Sequence, residues 1–130
     1  MIERYKPDSG ILGTKLPIAI AVRAGDFVFV SGQAALAKEG GVLDGGIVAQ
    51  TEATIERLRH ALAMADCALS DVVKATVWID DARDFGAFND VFRKYFGDAP
   101  PARSTLVSQL VLDAKVEIEL VAFKPLSADA

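Results

Sequence analysis

The last β-rich segment, residues 115–123, carries apolar side chains on both of its faces. Val116, Ile118, Leu120 and Ala122 share one side, and Glu117, Glu119, Val121 and Phe123 share the other, because successive side chains along a strand point to opposite faces. The segment 72–79 behaves alike, with Val73, Ala75, Val77 and Ile79 opposed to Val72, Lys74, Thr76 and Trp78. A sheet made of such strands wants cover on both faces, and the chain offers only two helical segments. The first runs from about Ile47 to Ala65. Ile55, Leu58, Leu62 and Ala65 follow a three-four spacing there, with Glu52, Glu56, Arg59 and His60 on the solvated side. The second carries Phe85, Phe88, Phe92, Tyr95 and Phe96 at helical spacing, a stripe that reads as core. Two helices cover one face of a five- or six-stranded sheet. A monomer would leave the other face as a wet apolar patch. Further copies of the chain, in a closed symmetric homo-oligomer, are the expected cover.

The remaining elements follow from local signals. Residues 1–16 are polar and loop-like, broken by Pro7, Gly10 and Gly13. Residues 17–23 read as a strand, 24–26 as a turn and 27–31 as a second strand, a hairpin that Gly32 closes. Two glycine pairs, at 40–41 and 45–46, mark a long loop. Asp81 and Asp84 resemble an N-terminal cap for the second helix, which Gly97 and Pro100-Pro101 end. Strands follow at about 103–109 and 115–123, and residues 126–130 read as a frayed tail. The order ββ-α-β-α-ββ is an α+β chain with a mixed sheet. Its 130 residues suit one domain with a core of its own.

Composition removes several function classes. Lys and Arg total 14 against 18 Asp and Glu, a net charge of −4. That balance argues against nucleic-acid phosphates or a polybasic membrane surface as partners. One cysteine, Cys67, and one histidine, His60, rule out an internal disulfide and a Cys/His zinc site. No apolar run is long enough to span a membrane. The N-terminus lacks the apolar stretch of a signal peptide. The expected location is the cytoplasm. A Ser-His-Asp triad would have to use His60, but His60 stands four residues after Glu56 on a polar helix face, where an ion pair is the simpler role. Cys67 reads as a small buried residue.

Three groups remain that could carry chemistry. Arg103, after the double proline and at the mouth of a strand, is able to hold a carboxylate through two charge-assisted hydrogen bonds, or to be a surface arginine paired with a nearby aspartate. Glu117 and Glu119 share a strand face about 7 Å apart. Beside apolar surface such a carboxyl can be pushed up in pKa and handle protons or water; otherwise it is a solvated strand position. Ser31-Gly32-Gln33 follows a strand, where a glycine lets backbone N–H groups approach a ligand or simply makes a turn.

Six motifs occur in order: Val30-Ser-Gly-Gln33, Ala49-Gln50-Thr51, Asp71-Val-Val-Lys74, Asp84-Phe-Gly-Ala-Phe-Asn89, Pro101-Ala-Arg-Ser104 and Val116-Glu-Ile-Glu119. Over about residues 17–124, a single domain, the chain resembles the RidA/YjgF family, also called L-PSP endoribonuclease-like. The resemblance implies a chorismate-mutase-like fold and a homotrimer with clefts between subunits. It also implies hydrolysis of reactive 2-amino-enoates and 2-imino acids to 2-keto acids and ammonia, with no cofactor or metal. It assigns Arg103 to the substrate carboxylate and Glu117 to water and proton handling. Ser31, Gly32, Gln33 and Asn89 fall at the cleft. There are departures: Ile18 stands where the family has a tyrosine, Thr105 where it has a cysteine, and the arginine-to-glutamate spacing is one residue shorter. They leave the substrate open, with an aminomuconate-type or larger imino acid as an alternative. A non-catalytic small-ligand-binding trimer is a second reading, and an endoribonuclease a weaker third, given the acidic chain.

Overall fold

The computed structural model describes residues 1–7 and 16–126. The breakers at Gly10 and Gly13 and the tail 127–130 lie outside the described residues. Among the described residues the strands and α-helices follow in order: β1 (Ile2–Tyr5), β2 (Ala21–Ala24), β3 (Phe27–Ala34), α1 (Ile47–Met64), β4 (Val72–Ile79), α2 (Phe85–Phe96), β5 (Ala102–Val107) and β6 (Val116–Phe123). They make one six-stranded sheet in the order β1-β2-β3-β6-β4-β5. All pairings are antiparallel except β4 with β5. The sheet is therefore mixed and the chain α+β, as the segment order implies.

Apolar periodicity explains the packing. Ile55, Leu58 and Leu62 of α1 and Phe88, Val91 and Phe92 of α2 are buried in one cluster with Val28 and Val30 of β3, Ala75, Val77 and Ile79 of β4, and Val116, Ile118, Leu120 and Ala122 of β6. Burying each such side chain contributes about 1.5–3 kcal/mol. The β2–β3 hairpin turns through Gly25-Asp26, where Gly25 takes φ 61°. That is the left-handed region where glycine has no steric cost.

The opposite face carries no helix. Phe27, Phe29 and Phe123 are each at least 40% exposed, with Phe27 and Phe123 in edge-to-face contact at 5.1 Å. The apolar second face expected from the strand pattern is thus present in the single chain. No helix among the described residues is long and apolar enough to cross a membrane.

Several local readings need correction. Residues 2–5 are not loop but an edge strand paired with β2. They are mostly exposed, so hydrophobic alternation could not reveal them. The strand expected at 17–23 begins only at Ala21. Gly32 does not close its strand; β3 runs through it to Ala34. Val73 belongs to the open face and Val72 to the core, because the β4–β6 register shifts between Val72 and Lys74, and such an irregularity inverts the alternation on either side of it. Asp81 caps the turn before α2 as expected, its carboxylate accepting from the Arg83 N–H at 2.9 Å, while Asp84 makes no side-chain capping hydrogen bond. β5 ends at Val107, two residues early.

Candidate active site

Arg103 is the second residue of β5 and lies in register with Ala75 of β4. Ala75 is a core residue in register with Leu120, so Arg103 projects to the helix side of the sheet. There its guanidinium meets α2. Its carbon centre lies 4.8 Å from the Phe92 ring, 5.3 Å from Phe88 and 5.8 Å from Phe85, which attracts the cation to the ring faces. Its Nη2 donates to Asn89 Oδ1 at 2.8 Å. None of the ion pairs among the described residues involves Arg103. Burial lowers its pKa from the ordinary value. The guanidinium opens onto a cleft of about 360 Å³ lined also by Asn89, Phe92, Phe96, Pro100 and Pro101. Thr105 lies two residues on, on the same face, in register with Val77.

Glu117 lies elsewhere. It is in register with Trp78 of β4 and projects to the open face, half-buried. Burial raises its pKa above the usual carboxylate value, and Glu119 on the same face raises it further. Gly32 stands against it: a Cβ at position 32 would overlap Glu117 Oε2 and lie 3.2 Å from Cδ. The β3–β6 register shifts between Val30 and Gln33, leaving Ser31 and Gly32 without a partner in β6. Ser31 is tied to the preceding segment instead. Its Oγ donates to the Ala19 carbonyl at 2.6 Å and its N–H to that of Ile20 at 3.0 Å. This places Ile18, 48% exposed, beside the Ser31-Gly32 bulge.

The structure thus brings together Ser31, Gly32 and Glu117, with Ile18 adjacent, on the open face. It brings together Arg103 and Asn89, with Thr105 adjacent, on the helix face. It separates the two groups by the thickness of the sheet. Gln33 touches the first group only through its Nε2, which donates to the Ser31 carbonyl at 3.2 Å. It is 7% exposed and in register with core Ile118, and its Oε1 accepts from Arg57 Nη2 of α1 at 3.1 Å.

The remaining polar residues serve the frame. Glu56 pairs with Arg59 at 3.0 Å, not with His60, which is exposed. Cys67 is buried and its thiol pKa is pushed up by that burial. No group of three or more His, Cys, Asp or Glu among the described residues could hold a metal ion. Sequence reasoning missed Gln50. It is buried on the first turns of α1, its Nε2 donating to Leu43 O at 3.0 Å and its Oε1 accepting from the Lys115 N–H at 2.8 Å, so it ties the glycine loop to the start of β6. Sequence reasoning also missed the rings around Arg103. Their helical spacing signalled core, and nothing local placed a cation among them.

Fold and side chains together define an α+β chain with a guanidinium on one face of its sheet that has no ion-pair partner among the described residues, and on the other a carboxyl whose pKa burial raises. Residues 16–124 match the family model described as Endoribonuclease L-PSP. A RutC family protein of Pyrococcus abyssi is 40% identical over 110 residues, spanning 83% of this chain and 87% of that protein. A 2-iminobutanoate/2-iminopropanoate deaminase of Mus musculus is 36% identical over 116 residues, 84% of this chain and 86% of its own. A solved structure from Thermotoga maritima superposes with a TM-score of 0.87 at 34% identity, over 95% of this chain and 99% of that one. The chain belongs to this family, the RidA/YjgF or L-PSP family.

Proposed function

We propose that the protein is an enamine/imine deaminase that converts 2-amino-enoates and 2-imino acids to 2-keto acids and ammonia. The observation that carries the reading is Arg103: a partly buried guanidinium, oriented by rings and an amide, with no anionic partner among the described residues. Such a group is suited to hold a carboxylate through charge-assisted hydrogen bonds. The similarity to the mouse 2-iminobutanoate/2-iminopropanoate deaminase supports the same chemistry.

Arg103 and Glu117 supply the groups that the reaction needs. A 2-amino-enoate gains a proton at its β-carbon and loses one from nitrogen, becoming a 2-imino acid. Water adds to the imine carbon to give a carbinolamine, whose nitrogen takes up a proton and leaves as ammonia while its hydroxyl gives up a proton and becomes the keto carbonyl. An imine is already electrophilic, so the protein has to orient it and move protons. Glu117, with its pKa raised by burial and Glu119, is suited to donate a proton and then to accept one from water. Arg103 holds the carboxylate and fixes the reacting carbon.

Arg103 and Glu117 face opposite sides of one protomer's sheet, so one chain cannot close the site. In this reading the site forms between copies in a homotrimer, where the β5 edge that carries Arg103 of one copy meets the open face that carries Glu117 of the next. The exposed Phe27, Phe29 and Phe123 support that packing. A second reading, a trimer that binds small carboxylates without turning them over, is favoured by Ile18, which puts an apolar side chain where the site would otherwise hold a hydroxyl to orient water.

The test is hydrolysis of freshly generated 2-iminobutanoate and 2-iminopropanoate. Turnover above the spontaneous rate is expected, with Arg103→Ala losing about 2–5 kcal/mol of transition-state binding while remaining folded. Carboxylate binding without turnover would replace this reading with the second. An Arg103→Ala variant as active as wild type would remove Arg103 as the clamp.

A further inference from the structure

On α2 the positions 85, 88, 89, 92 and 96 form one stripe, four of them phenylalanine and one Asn89. A polar side chain in such a stripe needs a partner, since an unmatched amide facing apolar surface is costly. Asn89 has one, Arg103 Nη2 at 2.8 Å, and among the described residues no other side-chain hydrogen bond to either residue is present. Around the same guanidinium stand Phe85, Phe88 and Phe92.

The chemistry of this holder is specific. An aspartate there would satisfy Arg103 more strongly, through a charge-assisted bidentate pair. It would also cancel the charge and compete with any ligand carboxylate. An amide oxygen and ring faces orient a guanidinium without neutralising it. We propose that Asn89 is a positioning residue for Arg103, a neutral acceptor that aims the guanidinium into the cleft and leaves its charge for a ligand carboxylate. Asn89 then acts on the ligand through Arg103 and does not touch it, which distinguishes this role from the substrate contact that the family resemblance implies. The proposal rests on Arg103 as the carboxylate clamp, and its test separates the two.

The probe is 2-oxobutanoate, the keto acid product, titrated calorimetrically into the full-length assembled protein, alongside turnover of 2-iminobutanoate. Loss of a hydrogen bond to a charged group predicts that Asn89→Ala raises Kd and KM about 10-fold, with kcat within about twofold of wild type. Asn89→Asp is expected to weaken binding further than alanine does, because the new carboxylate occupies the clamp. In an Arg103→Lys background, which keeps the charge but loses the planar fork, Asn89→Ala is expected to have no further effect. Alanine is a strong helix former, so α2 stays folded, and circular dichroism checks this. An Asn89→Ala effect that persists undiminished beside Arg103→Lys would show direct contact with the ligand and overturn the proposal. So would unchanged affinity in both Asn89 variants. Wild-type binding without turnover would sink the deaminase reading and leave this proposal supported or refuted by the same titrations. A wild-type protein that binds no carboxylate would overturn the clamp and the proposal together.

Discussion

Replacing Gly32 by alanine moves the Glu117 carboxyl without removing it. The added Cβ overlaps Glu117 Oε2 and lies 3.2 Å from Cδ and 3.4 Å from Cγ. The backbone is no obstacle, since φ at Gly32 lies outside the left-handed region. Relief must come from Glu117, whose side chain is half-buried and free to swing along the open face. Forcing it about 30° off a rotamer costs about 0.5–1.5 kcal/mol. Alanine recovers a similar amount, about 0.4–1 kcal/mol, by restricting the unfolded chain. The two terms nearly cancel, so stability is expected to stay within about 1 kcal/mol of wild type. Turnover responds differently. Displacing a reacting group by about 1 Å can cost about 100-fold in rate, and the overlap demands a shift of that order. Urea denaturation and steady-state hydrolysis of 2-iminobutanoate separate the two effects. The expected result is a kcat lowered about 100-fold with KM little changed. A wild-type kcat would refute the argument that the carboxyl must sit where Gly32 allows it. A loss of more than about 3 kcal/mol, beyond ordinary overpacking, would show that position 32 is constrained by the sheet and not by Glu117.

Three further outcomes follow from the same structure. Burial and Glu119 raise the folded-state pKa of Glu117 above its ordinary 4.5. The folded chain therefore binds more protons than the unfolded one in that window, and wild-type stability falls as pH rises through it. Glu117→Gln should retain carboxylate binding, lose turnover, and gain stability relative to wild type as pH climbs above the ordinary value; thermal melts at several pH values check the sign. In the proposed trimer, Phe29→Lys places a charge on the open face, where burying it unpaired is costly, and is expected to shift the protein to monomer in light scattering; an intact trimer would remove this face as the interface. Phe88, fully buried beneath Arg103, should cost about 3–5 kcal/mol in chemical denaturation when cut to alanine. A loss below about 1 kcal/mol would mean that the α2 core is not closed as described.

Local physics made much of the fold legible before any coordinates. The three-four spacing of Ile55, Leu58 and Leu62 and the aromatic stripe of α2 marked both helices, because one face of each had to be buried. The turn at Gly25 was readable because a tight hairpin needs a residue free to take positive φ. The apolar side of residues 121 and 123 announced a sheet face that helices would not cover. Arg103 and Glu117 stood out by residue type, and the motifs around them pointed to the family.

Tertiary structure decided what depends on pairing. Alternation says which residues of one strand share a face, but not which face of the next strand joins them. The register of β5 on β4 sends Arg103 to the helix side, and that of β4 on β6 sends Glu117 to the open side. Irregular registers at 30–33 and 72–74 change the parity within β3 and β4, which is why Gln33 is buried beneath α1 while Gly32 faces Glu117. The edge strand at residues 2–5 rests on hydrogen bonds to β2 and buries little. The ring cage around Arg103 joins residues far apart in the chain. Residue type and period are local properties of a sequence; register, face and distance are properties of strands already paired, and they decide that Arg103 and Glu117 lie on opposite faces of the sheet within one copy of the chain.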